Sequence, residues 1–322
     1  MRLLVTGGAG FIGSNLIRHI IDLPGIDQLI NLDALTYAGN LQNLEGIHEI
    51  HPKYAFEHVN LTDVDEVERV VRTHAITHVI HLAAESHVDR SIQNASPFMQ
   101  TNVMGTLHLL DACRAVWKNP ESHRFIQVST DEVYGSLGPA EAPFTEDSPL
   151  QPNSPYAASK AAAECLVRSY VKTYGFPAII TRSCNNYGPN QHPEKLIPTV
   201  LTCLRDRCPI PVYGNGQQTR EWIHVTDHAE ALWQVLEKGV TGEVYNIGTG
   251  DEWTNLKLIE HLCDIWDETH QSSSSRQLIS HVTDRPGHDQ RYAIDASKIM
   301  RVTGCGPCGD SKQVIRKLTV TG

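Results

Sequence analysis

The chain has 322 residues, 40% of them hydrophobic and 20% charged, which is enough to bury a full core. A formal net charge of -10 and a pI near 5.9 argue against a nucleic-acid-binding face, so phosphate is expected to be met in specific pockets. No run approaches the roughly 20 apolar residues that span a bilayer. The strand-like start Arg2-Leu3-Leu4-Val5-Thr6 leaves no room for a cleavable leader, and the eight cysteines are scattered, so reduced thiols and a cytoplasmic setting are expected.

The first strand-like run, residues 3–6, leads into Thr6-Gly7-Gly8-Ala9-Gly10-Phe11-Ile12-Gly13 and then an apolar helical segment. In that strand–turn–helix context the glycines bring backbone close to a pyrophosphate. Gly7 and Gly10 permit the tight turn, Gly13 permits helix–strand packing, and the helix N-terminus offers amide donors. The second strand, residues 29–32, ends at Asp33, 20 residues after Gly13. A carboxylate there accepts from ribose hydroxyls and repels a 2′-phosphate, which favours NAD over NADP.

Further strand-like runs at residues 78–82, 125–129 and 178–181 alternate with helix-length segments. The pattern predicts an α/β fold, a doubly wound parallel sheet of Rossmann-like type over residues 1–183. Thr130-Asp131-Glu132 follows the 125–129 run at the carboxyl end of a strand, where open parallel sheets bind ligands. Adjacent carboxylates in unequal solvation divide acid and base duties between them. Tyr156 and Lys160, four residues apart on a predicted helix, share a face, so the ammonium is expected to favour the phenolate and make the tyrosine a base. Redox and acid–base groups in one pocket point to a reaction beyond simple oxidation.

After Ser183 the prolines at 189, 193, 198, 209 and 211 break the alternation, predicting a smaller, interleaved α/β lobe over residues 184–322. The stretch 220–250, with a helix at 227–237 and a strand at 243–247, is expected to return to the first lobe. Cys305-Gly306-Pro307-Cys308 has redox-type spacing but no preceding strand and no second pair, so neither a redox centre nor a metal site is expected.

Six stretches together resemble the dTDP-glucose 4,6-dehydratases of the extended short-chain dehydrogenase/reductase family. They are the glycine turn, His87-Val88-Asp89-Arg90-Ser91, the Thr-Asp-Glu triplet, the Tyr-x-x-x-Lys pair, Cys184-Asn185-Asn186-Tyr187-Gly188-Pro189 and Asp284-Arg285-Pro286-Gly287-His288. The triplet is the part that separates hexose dehydratases from the related epimerases and decarboxylases. The resemblance implies that Tyr156, helped by Lys160 and Thr130, takes the proton of the sugar C4 hydroxyl while hydride leaves C4 for NAD. Glu132 then removes the C5 proton, Asp131 protonates the departing C6 hydroxyl, and hydride returns to C6.

The resemblance also implies that Phe11, Ile12, Ala34, Thr36, Asn60, Leu61, Leu82, Ala83, Ala84, Thr101 and Asn186 line the cofactor. Asn60 stands where the family carries aspartate, and its amide oxygen is expected to accept from adenine. Ser86, Asn185, Lys195, Arg220, Asn255, Arg285 and His288 match nucleotide-sugar positions, with Arg220 and Arg285 suited to a diphosphate. A homodimer through helices near 97–117 and 156–174 is implied as well. After Gly304 the chain departs from the family pattern, which leads on to a tryptophan and an aromatic-ended helix. Two readings stay beside the dehydratase: an epimerase or decarboxylase of the same fold, and a non-catalytic nucleotide-sugar sensor.

Overall fold

The structure is a computed structural model that describes residues 1–272 and 274–304. The Cys305–Cys308 spacing and the atypical tail lie outside the described residues. In chain order the elements begin with β1 (Arg2–Thr6), α1 (Phe11–Ile20), β2 (Gln28–Asp33), β3 (Tyr54–His58), α2 (Val64–Thr73) and β4 (His78–His81). Then come α3 (Val88–Gln93), α4 (Ser96–Phe98), a π-helical stretch Met99–Met104, α5 (Gly105–Val116), β5 (Arg124–Thr130), a 3-10 turn Asp131–Tyr134, α6 (Pro155–Tyr174) and β6 (Ala178–Ser183). The remainder holds β7 (Asn185–Tyr187), α7 (Leu196–Asp206), β8 (Ile210–Tyr213), β9 (Thr219–His224), α8 (Val225–Lys238), β10 (Val244–Ile247), β11 (Glu252–Thr254), α9 (Asn255–His270), β12 (Ile279–Val282) and α10 (Ser297–Thr303).

Seven strands form one sheet in the order β10-β6-β5-β4-β1-β2-β3, and every pairing in it is parallel. This is the doubly wound, Rossmann-like arrangement that the alternation of strand and helix predicts. The reason lies in residues that alternate between two cores. Leu3 and Val5 of β1 join an apolar cluster with Leu16, Ile17 and Ile20 of α1 and Leu232 of α8. Leu4, between them, faces the opposite cluster with Val67, Val70 and Val71 of α2 and Leu109 and Leu110 of α5. A sheet buried on both faces needs such continuous apolar strands.

A third cluster, with Val200, Leu204, Ile210, Leu258 and Leu262, sits beneath two small sheets, β11-β9-β7 and β12-β8. Of the 220–250 stretch, β9 pairs with β7 and β11, whereas β10 pairs with β6 at the edge of the large sheet. Helix α6 is cut sharply at both ends. Ser154 Oγ accepts from Ala157 N at 3.1 Å, Pro155 opens the first turn, and Gly175 closes the helix at φ 64°. That places Tyr156 in its first turn and Lys160 one turn further along. Among the described residues no helix is long and apolar enough to cross a membrane.

Candidate active site

All the residues singled out above as catalytic, cofactor-binding or substrate-binding line one cleft of about 1090 Å³. Its floor is the carboxyl ends of β1, β2, β4, β5 and β6, with walls from α7, β8, β9 and the loop that carries Arg285 and His288. Tyr37, Glu194, Asp289 and Tyr292 line it too, without any motif to mark them. Tyr292 lies four residues past His288, so only an extension of the Asp-Arg-Pro-Gly-His stretch would have pointed to it.

At the dinucleotide end, Gly7 adopts φ 72°, and a Cβ on it would sit 2.8 Å from the Ala83 backbone. A Cβ on Gly13 would collide with the Gly7 carbonyl oxygen, so this turn tolerates only glycine at both places. No side chain caps the α1 N-terminus at Gly10, which leaves first-turn amides for an anion. Asp33 closes β2, buried, with Oδ2 accepting from Ala9 N at 2.9 Å and Oδ1 from Leu35 N at 2.8 Å. Burial raises its pKa even against those two bonds, so further donors such as ribose hydroxyls would be favourable partners. These features fit a dinucleotide. Asn60 behaves differently from expectation: its Oδ1 already accepts from Thr62 N at 3.0 Å and Thr62 Oγ1 at 2.9 Å, an Asx-type turn that occupies the oxygen meant for adenine.

At the catalytic end, Thr130 Oγ1 donates to Asp131 Oδ1 at 3.2 Å and accepts from Glu132 N at 3.3 Å, with the Tyr156 phenol beside it. The Thr130 hydroxyl thus sits beside the Asp131 carboxyl and the Tyr156 phenol. Burial, then the charges of Glu132 and Glu221, hold the Asp131 carboxyl well above the usual range against the opposing Arg220. Burial also raises Glu132, but Arg220, Lys195 and Arg285 all pull it back. Lys160 is buried, with Nζ donating to Val128 O at 2.7 Å, and burial lowers it to about 8. The expected lowering of Tyr156 by Lys160 is not what the geometry gives. Burial beside Glu132 and Asp131 pushes the phenol up, and only the Thr130 bond pulls it down among its larger influences.

At the far end, Arg220 is buried. It donates to Asp289 O at 3.0 Å and Thr219 O at 2.8 Å, and its Cζ lies 4.1 Å from the Tyr292 ring centroid. Arg285 sits 3.3 Å from Asp89 and His288 Nδ1 lies 2.6 Å from Asp284 Oδ1, while Lys195 Nζ donates to Ser86 O at 3.2 Å. Cations, an acid pair and a glycine cradle thus line the same cleft.

Comparison with known proteins decides between the families that share this layout. The profile of the family described as GDP-mannose 4,6 dehydratase matches residues 4–318. A dTDP-glucose 4,6-dehydratase of Neisseria meningitidis serogroup B is 48% identical over 326 residues, covering 98% of this chain and 91% of the relative. The chain belongs to the dTDP-glucose 4,6-dehydratase family. Among solved structures, the dTDP-glucose 4,6-dehydratase DesIV of Streptomyces venezuelae, with NAD and TYD bound, superposes with a TM-score of 0.91 at 44% identity, covering 99% of this chain and 96% of that one. A UDP-glucose 4-epimerase of Thermus thermophilus in complex with NAD superposes at 0.87 with 30% identity, covering 100% and 98%. Fold alone therefore does not separate dehydratase from epimerase. In this chain the Thr130-Asp131-Glu132 turn lies inside the cleft.

Proposed function

We propose that the chain is a hydro-lyase that converts dTDP-glucose into dTDP-4-keto-6-deoxyglucose with NAD as its cofactor. The observation that carries this reading is the Asp131–Glu132 pair facing the same cleft as Tyr156 and Lys160. Gly7, Gly10 and Gly13 with Asp33 would hold NAD, as the cradle geometry supports. When bound, NAD supplies the acceptor for the C4 hydride and the donor that returns it to C6.

Tyr156 takes the C4 hydroxyl proton, with Thr130 beside the phenol and bonded to Asp131. Lys160, one turn along the same helix, lines the cleft with its Nζ held by the Val128 carbonyl. The resulting ketone acidifies C5–H. Glu132, whose burial-driven rise is opposed by three cations, is the carboxylate that takes the C5 proton, and Asp131, raised further by burial and its acidic neighbours, gives a proton to the C6 hydroxyl as water leaves. An epimerase also oxidises C4 but has no need of this second acid–base pair. Arg220 and Arg285, with Lys195 and His288, form the wall that suits a nucleoside diphosphate.

The same reading places the division between the NAD-binding and sugar-nucleotide lobes near Ser183. It also includes a cytoplasmic setting without nucleic-acid or membrane partners, supported by the net charge of -10 and by free thiols at all six cysteines among the described residues. A homodimer through α5 and α6 is part of it, supported by Met99 and Met104 just before α5 and Tyr174 at the end of α6, which stay 38%, 37% and 50% exposed. Light scattering on the purified protein should return twice the 35.8 kDa chain mass; a monomer at micromolar concentration would remove the dimer. For the reaction itself, purified protein is incubated with NAD and dTDP-glucose, with UDP-glucose in parallel, and products are weighed by mass spectrometry. Loss of water from dTDP-glucose is expected, and unchanged mass would defeat the reading.

A further inference from the structure

Behind the cleft a buried chain of hydrogen bonds joins the two segments that carry the reactive groups. Tyr134 closes the 3-10 turn that bears Asp131 and Glu132. Its hydroxyl accepts from Arg182 Nη1 at 2.7 Å and donates to Asn246 Oδ1 at 2.7 Å. Arg182, on β6, forks onto Glu164, with Nη2 2.7 Å from Oε2 and Nε 3.2 Å from Oε1. Glu164 lies on α6, four residues and one turn beyond Lys160. Asn246, paired with Arg182 across β10 and β6, is anchored in turn by Nδ2 to Phe144 O at 3.1 Å and Asp295 O at 3.2 Å.

Tyr134, Glu164, Arg182 and Asn246 are all buried, and none of them lines the cleft. None can touch a sugar directly. The backbone bonds that tie down the turn are longer than the two at the Tyr134 hydroxyl: Gly135 N to Glu132 O is 3.3 Å and Gln151 N to Val133 O is 3.0 Å. A buried ion pair adds little net stability over apolar residues of the same shape, and its best use is to hold one geometry against alternatives. Here it links α6, which positions Tyr156 and Lys160, to the turn that positions the acid pair.

We propose that Tyr134, acting through Arg182 and Glu164, is a positioning residue that sets the Asp131–Glu132 pair in register with the Tyr156–Lys160 face. The proposal rests on the dehydratase reading. Its consequence is a division of labour: oxidation at C4 depends on α6, whereas proton removal at C5 and loss of the C6 hydroxyl depend on the strut.

Tyr134→Phe removes one oxygen and keeps the ring that stacks on Phe144 at 4.9 Å. In rapid-quench mass spectrometry with NAD and dTDP-glucose, this variant should form the 4-keto hexose that still carries its C6 hydroxyl at close to the wild-type rate. Water loss should slow by about 10²-fold, the effect of a misplacement of about 1 Å at a reacting group. Deuterium uptake at C5 should fall with it. Equal slowing of both steps, or no change in either, overturns the positioning role. If Tyr134→Phe gives no cooperative melting, Glu164→Gln loosens the other end of the strut and must show the same split, or the proposal fails. Wild-type protein that loses no water in the same run overturns the dehydratase reading and the proposal with it, while a competent wild type isolates the strut.

Discussion

Asp131 and Glu132 are adjacent in the chain yet meet different surroundings. Both line the cleft, but Asp131 is the more buried and is raised by the charges of Glu132 and Glu221, whereas Arg220, Lys195 and Arg285 all oppose the rise at Glu132. The contrast on which the proposed acid and base roles rest also has a stability consequence. Asp131 binds its proton more tightly folded than unfolded, because burial raises it above the ordinary 3.8. Below pH 3.8 both states hold the proton and the site is neutral to stability. As pH rises past that value the unfolded carboxyl ionises first, the folded state carries the extra proton, and unfolding free energy falls until the folded group ionises too. Asp131→Asn removes this slope. The variant should be more stable than wild type near neutral pH by roughly 0.5–2 kcal/mol, at the expense of water elimination. Urea unfolding of both proteins across pH checks it; a variant that is less stable at pH 7 with an unchanged slope contradicts it.

At the scale of elements, what could be read in advance follows from burial. Strands β1, β2, β4, β5 and β6 were legible as apolar runs because the sheet is covered on both faces, and their ends moved by a residue or two. Strand β3, Tyr54–His58, escaped because it is the sheet edge, half-buried, with Glu57 and His58 interrupting the run. The π-helical Met99–Met104 carries no proline or glycine inside it to announce a change of pitch. β9 reads as a strand from its residues, but its partners in the small sheet come from β7 and β11, a pairing that only tertiary packing decides. In the site, the motifs brought every named residue to one cleft, the glycine turn and the Thr-Asp-Glu triplet from strand ends and the Tyr-x-x-x-Lys pair from the first turns of α6. Side-chain direction was not legible. Lys160 turns to the Val128 carbonyl and Asn60 to Thr62, choices made by nearby backbone donors and acceptors rather than by residue type.

Taken whole, the molecule is a parallel sheet whose strand ends supply a glycine turn and an acid pair to one cleft, which residues of the smaller sheets also line. That layout is shared with epimerases, as the Thermus thermophilus superposition shows, so chemistry is decided by a few side chains on a common frame. The strut of Tyr134, Arg182 and Glu164 belongs to this scale, because it couples a helix, a central strand and a turn that are distant in sequence. The proposed reaction requires that a ketone formed at C4 make the C5 proton removable by Glu132. The most direct measurement follows deuterium incorporation at C5 from deuterated water in Glu132→Gln with dTDP-glucose and NAD, alongside the rate of C4 oxidation. Oxidation that persists while C5 incorporation disappears is the expected result; normal incorporation at C5 in that variant would contradict it.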